Sequence, residues 1–259
     1  MTPSLDDDLR FARDLADLAD GITMAAFRSA GLRVETKPDL TPVTEADRGV
    51  ERELRARIQA ERPGDAVTGE EFGSSGDSSR RWYLDPIDGT KNFMRGVPVF
   101  ATLIALQLDG DMVVGVCSAP ALRMRWWASR GGGAFADGRR LHVSGISRLG
   151  DAQLSYDSVS GFEEEGLGEA FLELTRRCWR TRGFGDFWSH VLVAEGAVDI
   201  AVEPVVSPWD LAPLQVIVEE AGGRFTDLTG AARIDGGSAV ASNGLLHDEV
   251  LAAMRVDPE

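Results

Sequence analysis

Apolar residues near the N-terminus recur every three to four positions, which is the spacing of one face of a helix. The pattern covers residues 5–26, and Ser4 followed by three aspartates supplies a cap with acidic residues in the first turn. We therefore predict a long amphipathic helix. The capping-box pattern Thr44-x-x-Asp47 predicts a second helix, which ends near Glu61.

Short apolar runs bounded by turn residues follow and predict strands. Alternation of apolar residues and Gly-rich turns at 125–143 predicts further strands of an antiparallel sheet. Asp109-Gly110 is typical of a hairpin turn. The strands before this region are predicted at 66–68, 82–84, 100–108 and 112–119.

Helical periodicity dominates the second half of the chain, with short apolar runs between the helices. These features predict an α/β (α+β) protein in one compact unit, with an N-terminal part at 1–145 and a C-terminal part at 146–259. The predicted helices are 163–178, 186–195, 210–221 and 245–254, and the predicted strands lie near 180 and at 199–202, 224–226 and 239–242.

Composition and charge narrow the functional class. The chain has 259 residues, 43% of them apolar, and 42 acidic against 27 basic side chains give a net charge of −15. This balance argues against nucleic acid as a partner. No apolar run approaches the ~20 residues of a membrane span and no signal peptide is evident, so we expect a cytoplasmic protein that does not bind membranes. Cys117 and Cys178 lie in apolar surroundings, which suits reduced thiols.

Candidate chemistry resides in acidic residues at the ends of strands and turns. The most informative segment is Asp85-Pro86-Ile87-Asp88-Gly89-Thr90, where an apolar strand runs into two carboxylates and a glycine. Three other segments place Asp47, Glu70 and Asp210 in comparable positions. If these carboxylates converge, their repulsion favours a hard divalent cation such as Mg²⁺, Ca²⁺ or Mn²⁺ over zinc.

Each acid also has an ordinary structural interpretation. Asp85 and Asp88 suit turns, Asp47 suits a helix cap, and Asp210 suits the first turn of a helix. Glu71 is interpreted as a solvated neighbour of Glu70. The Gly/Ser-rich stretch 74–79 reads either as a segment that moves over the site or as a flexible surface loop.

Taken together, the motifs resemble those of the inositol monophosphatase family of Mg²⁺-dependent, lithium-sensitive phosphatases. The matching segments occur in the family's order and spacing over nearly the whole chain, and they are Gly69-Glu70-Glu71, Asp85 to Thr90, Trp209-Asp210 and Glu220-Ala221-Gly222-Gly223. The resemblance implies a layered αβαβα sandwich with the site between two halves. It also implies a homodimer that acts on a small-molecule phosphate monoester.

The same resemblance implies a set of roles for the acidic residues. Glu70, Asp85 and the carbonyl of Ile87 would hold one Mg²⁺, and Asp85, Asp88 and Asp210 a second. A third ion would bind near Glu70, and Mn²⁺ would be able to substitute. Gly89 and Thr90, with Asp88, would bind the phosphate. Asp47, acting through the Thr90 hydroxyl, and Glu70 would activate the attacking water without a phosphoenzyme.

Segments around these motifs resemble a subgroup of the family that hydrolyses histidinol phosphate. They are 36–44, 92–98, 118–121 with Trp126-Trp127, and 183–188. Histidinol phosphate carries a cationic amine, so we expect carboxylates in the pocket for its alcohol part. Asp186 and Glu203, with Asp210, are the candidates, although Asp186 also fits the N-cap of a helix that begins at Phe187.

Two other functions compete with this interpretation. The first is an inositol-1-phosphate or broad sugar-phosphate phosphatase, which uses the same chemistry. The second is a non-enzymatic regulatory role through a separate surface. Only three local pairs of arginines support a basic interaction face, and all motif acids are present.

Overall fold

The computed structural model describes residues 3–31, 33–36 and 42–255. Residues 37–41, part of the segment likened to the histidinol-phosphate subgroup, lie outside these ranges. The helices are α1 (Leu5–Ala26), α2 (Glu45–Glu61), α3 (Thr90–Met94), α4 (Val159–Glu164), α5 (Gly168–Arg177), α6 (Asp186–Ala194), α7 (Pro208–Glu220) and α8 (His247–Ala253). The strands are β1 (Val34–Thr36), β2 (Pro42–Thr44), β3 (Ala66–Gly69), β4 (Gly73–Ser75), β5 (Arg80–Asp88), β6 (Ala101–Leu108), β7 (Asp111–Ala119), β8 (Met124–Ser129), β9 (Gly133–Ala136), β10 (Arg139–Arg140), β11 (Gln153–Tyr156), β12 (Arg180–Arg182), β13 (Ile200–Glu203), β14 (Arg224–Thr226) and β15 (Ala239–Ser242).

Two large sheets organise the described residues. The first has eight strands in the order β10-β9-β8-β7-β6-β5-β3-β4, and the second has five in the order β12-β11-β13-β15-β14. The predicted antiparallel sheet is confirmed from β5 to β10. It is wrong for β3, which pairs parallel to β5, because β4 takes the outer edge of β3 and the chain then crosses to its other side.

Helices and sheets alternate in five layers. Helices α1 and α2 cover one face of the eight-stranded sheet, and α7 packs on the other face. Helices α6 and α7 also contact strands of the five-stranded sheet, whose far face is covered by α4, α5 and α8. The αβαβα sandwich is therefore confirmed, and its middle helical layer touches both sheets.

Neighbouring residues of the eight-stranded sheet bury their side chains on opposite faces. Leu103 and Trp126 belong to the core shared with α6 and α7, whereas Ile104 and Trp127 pack toward α1 and α2. This alternation follows from the pleat of a strand. A mostly apolar strand such as β6 is thus what a sheet covered on both faces requires.

The strongest sequence patterns give the right elements. Helix α1 begins after a capping box at Ser4, and helix α2 begins after one at Thr44. The four early strands and the hairpin at 109–110 are present, as are α6, α7, α8 and the strands β12 to β15. Cys117 is buried and Cys178 is half-buried, and both are free thiols.

Helix α3 and the short strands β1 and β2 were not predicted, and three further regions differ from the prediction. The helix expected at 163–178 is two helices, because Gly166 adopts a φ of +70° and ends the first of them. Strand β11 was missed, since its alternation Gln-Leu-Ser-Tyr covers only four residues, yet it pairs with both β12 and β13. Strand β4 lies at 73–75, so the Gly/Ser-rich stretch is loop only in part. None of the described helices is long and apolar enough to cross a membrane.

Candidate metal and phosphate site

Asp85, Asp88 and Asp210 form one group of carboxylates. One oxygen from each lies within 4.8 Å of the others. Two residues three apart on a regular strand point to opposite faces, but the pairing of β5 with β6 shifts between Asp85 and Asp88. The extra residue of this bulge turns both carboxylates to the same side. Asp210 joins them from the first turn of α7.

A second group contains Asp47, Glu70 and Glu71, again with oxygens within 4.8 Å of one another. Asp47 is buried, and the two glutamates are half-buried. The structure thus adds Glu71, which the sequence pattern indicated as a solvated neighbour. All five sequence-predicted acids at 47, 70, 85, 88 and 210 belong to one of the two groups.

The two oxygens of Asp47 have different partners. Oδ2 accepts hydrogen bonds from the backbone N–H of Thr44 at 2.8 Å and from the Thr44 hydroxyl. Oδ1 faces the Thr90 hydroxyl, whose Oγ1 lies 3.3 Å away and also 2.9 Å from the carbonyl of Ile87. Asp47 is therefore a helix-capping residue and a member of the site at the same time.

Gly89 adopts a conformation that few other residues tolerate. Its φ is +79°, and a Cβ at this position would lie 3.1 Å from the carbonyl oxygen of Val99 and 3.3 Å from Asp186 Oδ2. Helix α3 begins directly after it at Thr90. Because the first N–H groups of a helix have no partner within the helix, this turn can offer backbone donors to an anion.

Asp88 links the end of β5 to the start of α6. Its Oδ2 accepts a 2.6 Å hydrogen bond from the backbone N–H of Phe187, near the start of α6. Asp186 is the first residue of α6 at a φ of +47°, and the N-cap is Gly185, so the capping alternative for Asp186 is wrong. The Asp186 carboxylate instead lies 3.4 Å from Asn92 Nδ2.

A cavity of about 80 Å³ adjoins the first carboxylate group. Its acidic lining includes Asp186 and Glu203, both selected from the sequence, and Asp157, which was missed. Asp157 directly follows β11, so the rule that selected Asp85 would have found it had the strand been recognised. The full lining is Asp88, Asp157, Asp186, Phe187, Glu203, Val205, Val206, Asp210 and Leu214.

Burial and mutual repulsion raise the pKa values of these carboxyl groups. Burial raises the pKa of Asp85 and Asp88 well above the ordinary value, and neighbouring acids raise it further. The same causes raise the pKa of Asp186 and of Asp210 to about 7. Each shift means that the protein alone stabilises the negative charges poorly, so the site favours a bound cation.

The donor atoms decide which cation fits. Both groups offer carboxylate oxygens, whereas His190 lies 3.4 Å from Glu203 and His247 is buried between Ser242 and Thr226. Oxygen ligands without imidazole or thiolate suit Mg²⁺ or Mn²⁺ and do not suit zinc. The residues present therefore fit the divalent cation that the motifs imply.

A layered αβαβα fold with two carboxylate groups beside a Gly-Thr turn defines the class of metal-dependent phosphoric monoester hydrolases. The inositol monophosphatase family matches residues 4–257. The chain belongs to this family, which settles its class as an enzyme.

Individual proteins support the same assignment. The chain is 59% identical over 254 residues to a histidinol-phosphatase of Mycobacterium tuberculosis, covering 96% of this chain and 98% of that one. It is 54% identical over 258 residues to a histidinol-phosphatase of Streptomyces coelicolor, covering 96% and 97%. The structure of an inositol monophosphatase from Zymomonas mobilis matches with a TM-score of 0.88 at 36% identity, covering 98% of this chain and 100% of that one.

Proposed function

We propose that this chain is a Mg²⁺-dependent phosphatase that hydrolyses L-histidinol phosphate to L-histidinol and phosphate. The observation that carries the substrate assignment is the acidic cavity beside the carboxylate group, because the alcohol part of this substrate bears a protonated amine. Relatives named histidinol-phosphatase, at 59% and 54% identity over almost the full length, support it. Neither inorganic phosphate nor the ester of a neutral polyol carries a cation that such an acidic lining would bind.

We assign the metal ligands from the two carboxylate groups. Asp85, Asp88 and Asp210 would hold one Mg²⁺, and Glu70 with Asp85 and the Ile87 carbonyl another. The half-buried Glu71 extends the donor set near Glu70, where a third ion would bind. Bound Mg²⁺ would supply Lewis acidity toward the phosphoryl oxygens and lower the pKa of a coordinated water.

Thr90 and Asp47 would remove the proton of the attacking water. The Thr90 hydroxyl would donate to Asp47 Oδ1, 3.3 Å away, and so leave a lone pair to accept a hydrogen bond from the water. Thr44 occupies the other oxygen of Asp47 and fixes the direction of the first. Burial raises the pKa of Asp47, which makes it a stronger base. Glu70 would assist from the same carboxylate group.

The turn at Gly89 and Thr90 would bind the phosphate through its backbone N–H groups. The close approach of Val99 and Asp186 to Gly89 keeps this turn in one conformation. A rigid set of donors binds an anion without a reorganisation cost at the moment of reaction. Asp88 would contact the same phosphate through the bound cation.

The cationic end of the substrate would bind among Asp157, Asp186 and Glu203. Glu203 is 4% exposed, and its Oε1 is buried without a hydrogen-bond partner. A buried carboxylate oxygen that lacks a donor is unfavourable in the free protein, and a substrate ammonium would supply the donor. Asp210 also lines the cavity and would contact the alcohol oxygen.

The substrate assignment is tested by phosphate release with Mg²⁺ on L-histidinol phosphate and on myo-inositol-1-phosphate, with EDTA controls. We expect kcat/KM to favour histidinol phosphate more than ~100-fold, which is about 2.7 kcal/mol in the transition state. A preference for the inositol ester would keep the metal chemistry and reject the substrate. No hydrolysis of either ester would reject both substrates.

Charge removal in the cavity should change specificity selectively. We expect Asp186→Asn or Glu203→Gln to raise KM for histidinol phosphate about tenfold or more and to change KM for a neutral phosphate ester much less. Equal effects on both esters would show that neither residue contacts the amine.

The homodimer, the cytoplasmic location and the division at 145/146 stay predictions.

A further inference from the structure

The turn after β3, which carries Glu70 and Glu71, is held by a residue outside the sequence motif. The backbone N–H of Glu71 donates to Oε2 of Glu51 at 2.7 Å, and that of Phe72 donates to Oε1 at 3.3 Å. Glu51 lies on α2, and its side chain is fully buried. Hydrogen bonds to an ionised acceptor are roughly twice as strong as neutral ones, so this carboxylate is a firm anchor for the turn.

Arg55, one helical turn after Glu51, holds the other side of the same turn. Its Nε lies 2.6 Å from Glu51 Oε1. Its terminal nitrogens donate to the carbonyl of Gly73 and, at 3.0 Å, to the hydroxyl of Ser75 on β4. The pair on α2 thus holds the chain from Glu71 to Ser75.

The glycine that opens the Gly-Glu-Glu motif is explained by this anchor. A Cβ at Gly69 would lie 2.1 Å from Glu51 Oε1 and 2.5 Å from its Cδ. The backbone therefore rests directly on the Glu51 carboxylate, and any side chain at Gly69 would displace it. The φ of Gly69 is not positive, so contact with Glu51 is the reason for glycine here.

Helix α2 also carries Asp47 in its first turn, one helical turn before Glu51. One rigid helix consequently fixes one carboxylate of the second group directly and the other two through Glu51 and Arg55. We propose that Glu51, supported by Arg55, is a positioning residue that sets the distance between Asp47 and the Glu70-Glu71 turn, and thereby the affinity for the divalent cation. Glu51 itself is not a metal ligand, because its oxygens are occupied by backbone N–H groups and Arg55.

The inference rests on the proposed metal-binding role of Glu70. Its test distinguishes failure of the positioning role of Glu51 from failure of the metal site itself. Mn²⁺ binding to the metal-free full chain is measured by the EPR signal of free Mn²⁺, and the half-saturating Mg²⁺ concentration is measured in phosphate release. For Glu51→Gln we expect one class of Mn²⁺ site to weaken by 10- to 100-fold, the range for residues that orient metal ligands. The half-saturating Mg²⁺ concentration should rise in proportion, and excess Mg²⁺ should restore kcat to within about threefold.

The matched control is Glu53→Gln, which makes the same change at an exposed position of the same helix. We expect wild-type Mn²⁺ affinity from it. Arg55→Lys, which loses the contacts to Gly73 and Ser75, should weaken Mn²⁺ binding to a smaller extent and serves as the readout if Glu51→Gln does not fold. Wild-type Mn²⁺ affinity in both folded variants, with only a lower Tm, would overturn the positioning role. Absence of Mn²⁺ binding to the wild type would instead reject the proposed metal site.

Discussion

At the residue scale, Asp88 contributes to three features of the site. It belongs to the first carboxylate group, lines the acidic cavity and accepts a hydrogen bond from the backbone N–H of Phe187. An asparagine keeps an oxygen that can accept this hydrogen bond but removes the charge that a divalent cation needs. The proposed role of Asp88 in metal binding can thus be separated from its role in the fold.

We therefore predict that Asp88→Asn lowers kcat by at least about 10³-fold and weakens Mn²⁺ binding, while Tm changes by only a few degrees. Phosphate release, EPR-detected Mn²⁺ binding and thermal unfolding measure the three effects. Asp109→Asn, the same substitution in the exposed hairpin turn, is the control and should be silent. A variant at position 88 with the wild-type rate would contradict the metal assignment.

Gly89 gives a second prediction, because its conformation and its close neighbours both exclude a side chain. Gly110 has a comparable φ of +92° but has no atom within 4 Å of a Cβ. Alanine at either position should cost about 1–2 kcal/mol of unfolding free energy for the left-handed conformation. Only Gly89→Ala should also lower kcat/KM, by about tenfold or more, because its Cβ would displace Val99 or Asp186.

Denaturant unfolding and steady-state kinetics of the two alanine variants test this difference. Similar losses of stability accompanied by similar activities would mean that the space around Gly89 does not matter for the phosphate turn.

At the element scale, α7 packs directly against the backbone of β7 at Gly115. A Cβ at Gly115 on β7 would lie 2.5 Å from the carbonyl oxygen of Pro213 in α7. We predict that Gly115→Ala pushes the helix away, destabilises the protein by about 1–3 kcal/mol and lowers Tm by several degrees. Because α7 carries Asp210, Mn²⁺ affinity should fall as well.

Gly49→Ala is the control for these measurements, and its expected effect on stability is the opposite of that of Gly115→Ala. Gly49 lies inside α2 with no atom within 4 Å of its Cβ position, so alanine should raise stability by up to about 1 kcal/mol. Unchanged Tm and Mn²⁺ affinity in Gly115→Ala would show that the helix tolerates the added methyl group and that the contact does not position Asp210.

Elements were predictable where a local pattern is sufficient. The caps at Ser4 and Thr44 and the acids at the end of β5 can be recognised from neighbouring residues alone. Strand β11 depends on partners at 180–182 and 200–202, and Asp157 was lost with it. The Glu51 anchor could not be found either, because its contacts join residues 20 and 21 positions apart.

At the scale of the whole molecule, the charge of the site is coupled to stability. The folded protein raises the pKa of Asp186 and Asp210 to about 7, whereas an unfolded aspartate titrates near 3.9. Between these values the folded state binds more protons than the unfolded state. The stability of the metal-free protein therefore falls as pH rises from about 4 to about 7.

Bound Mg²⁺ would replace the proton on its proposed ligand Asp210, so we predict that the Mg²⁺-induced rise in Tm is small near pH 5 and larger near pH 8. Thermal unfolding with Mg²⁺ and with K⁺ at equal ionic strength measures the effect and removes general screening. The same gain at both pH values would show that the divalent cation does not compete with protons for these carboxylates.

The order of the proposed site residues along the chain bears on how relatives in this family differ in substrate. The phosphate turn and most of the proposed metal ligands precede β11, whereas Asp157, Asp186 and Glu203 follow in the later segments, with Asp210 the one ligand contributed from there. Substitutions at Asp157, Asp186 and Glu203 would thus change the proposed alcohol-binding wall and leave most of the proposed metal ligands in place. A relative that differs at these three side chains would be expected to release a different alcohol by the same proposed metal chemistry.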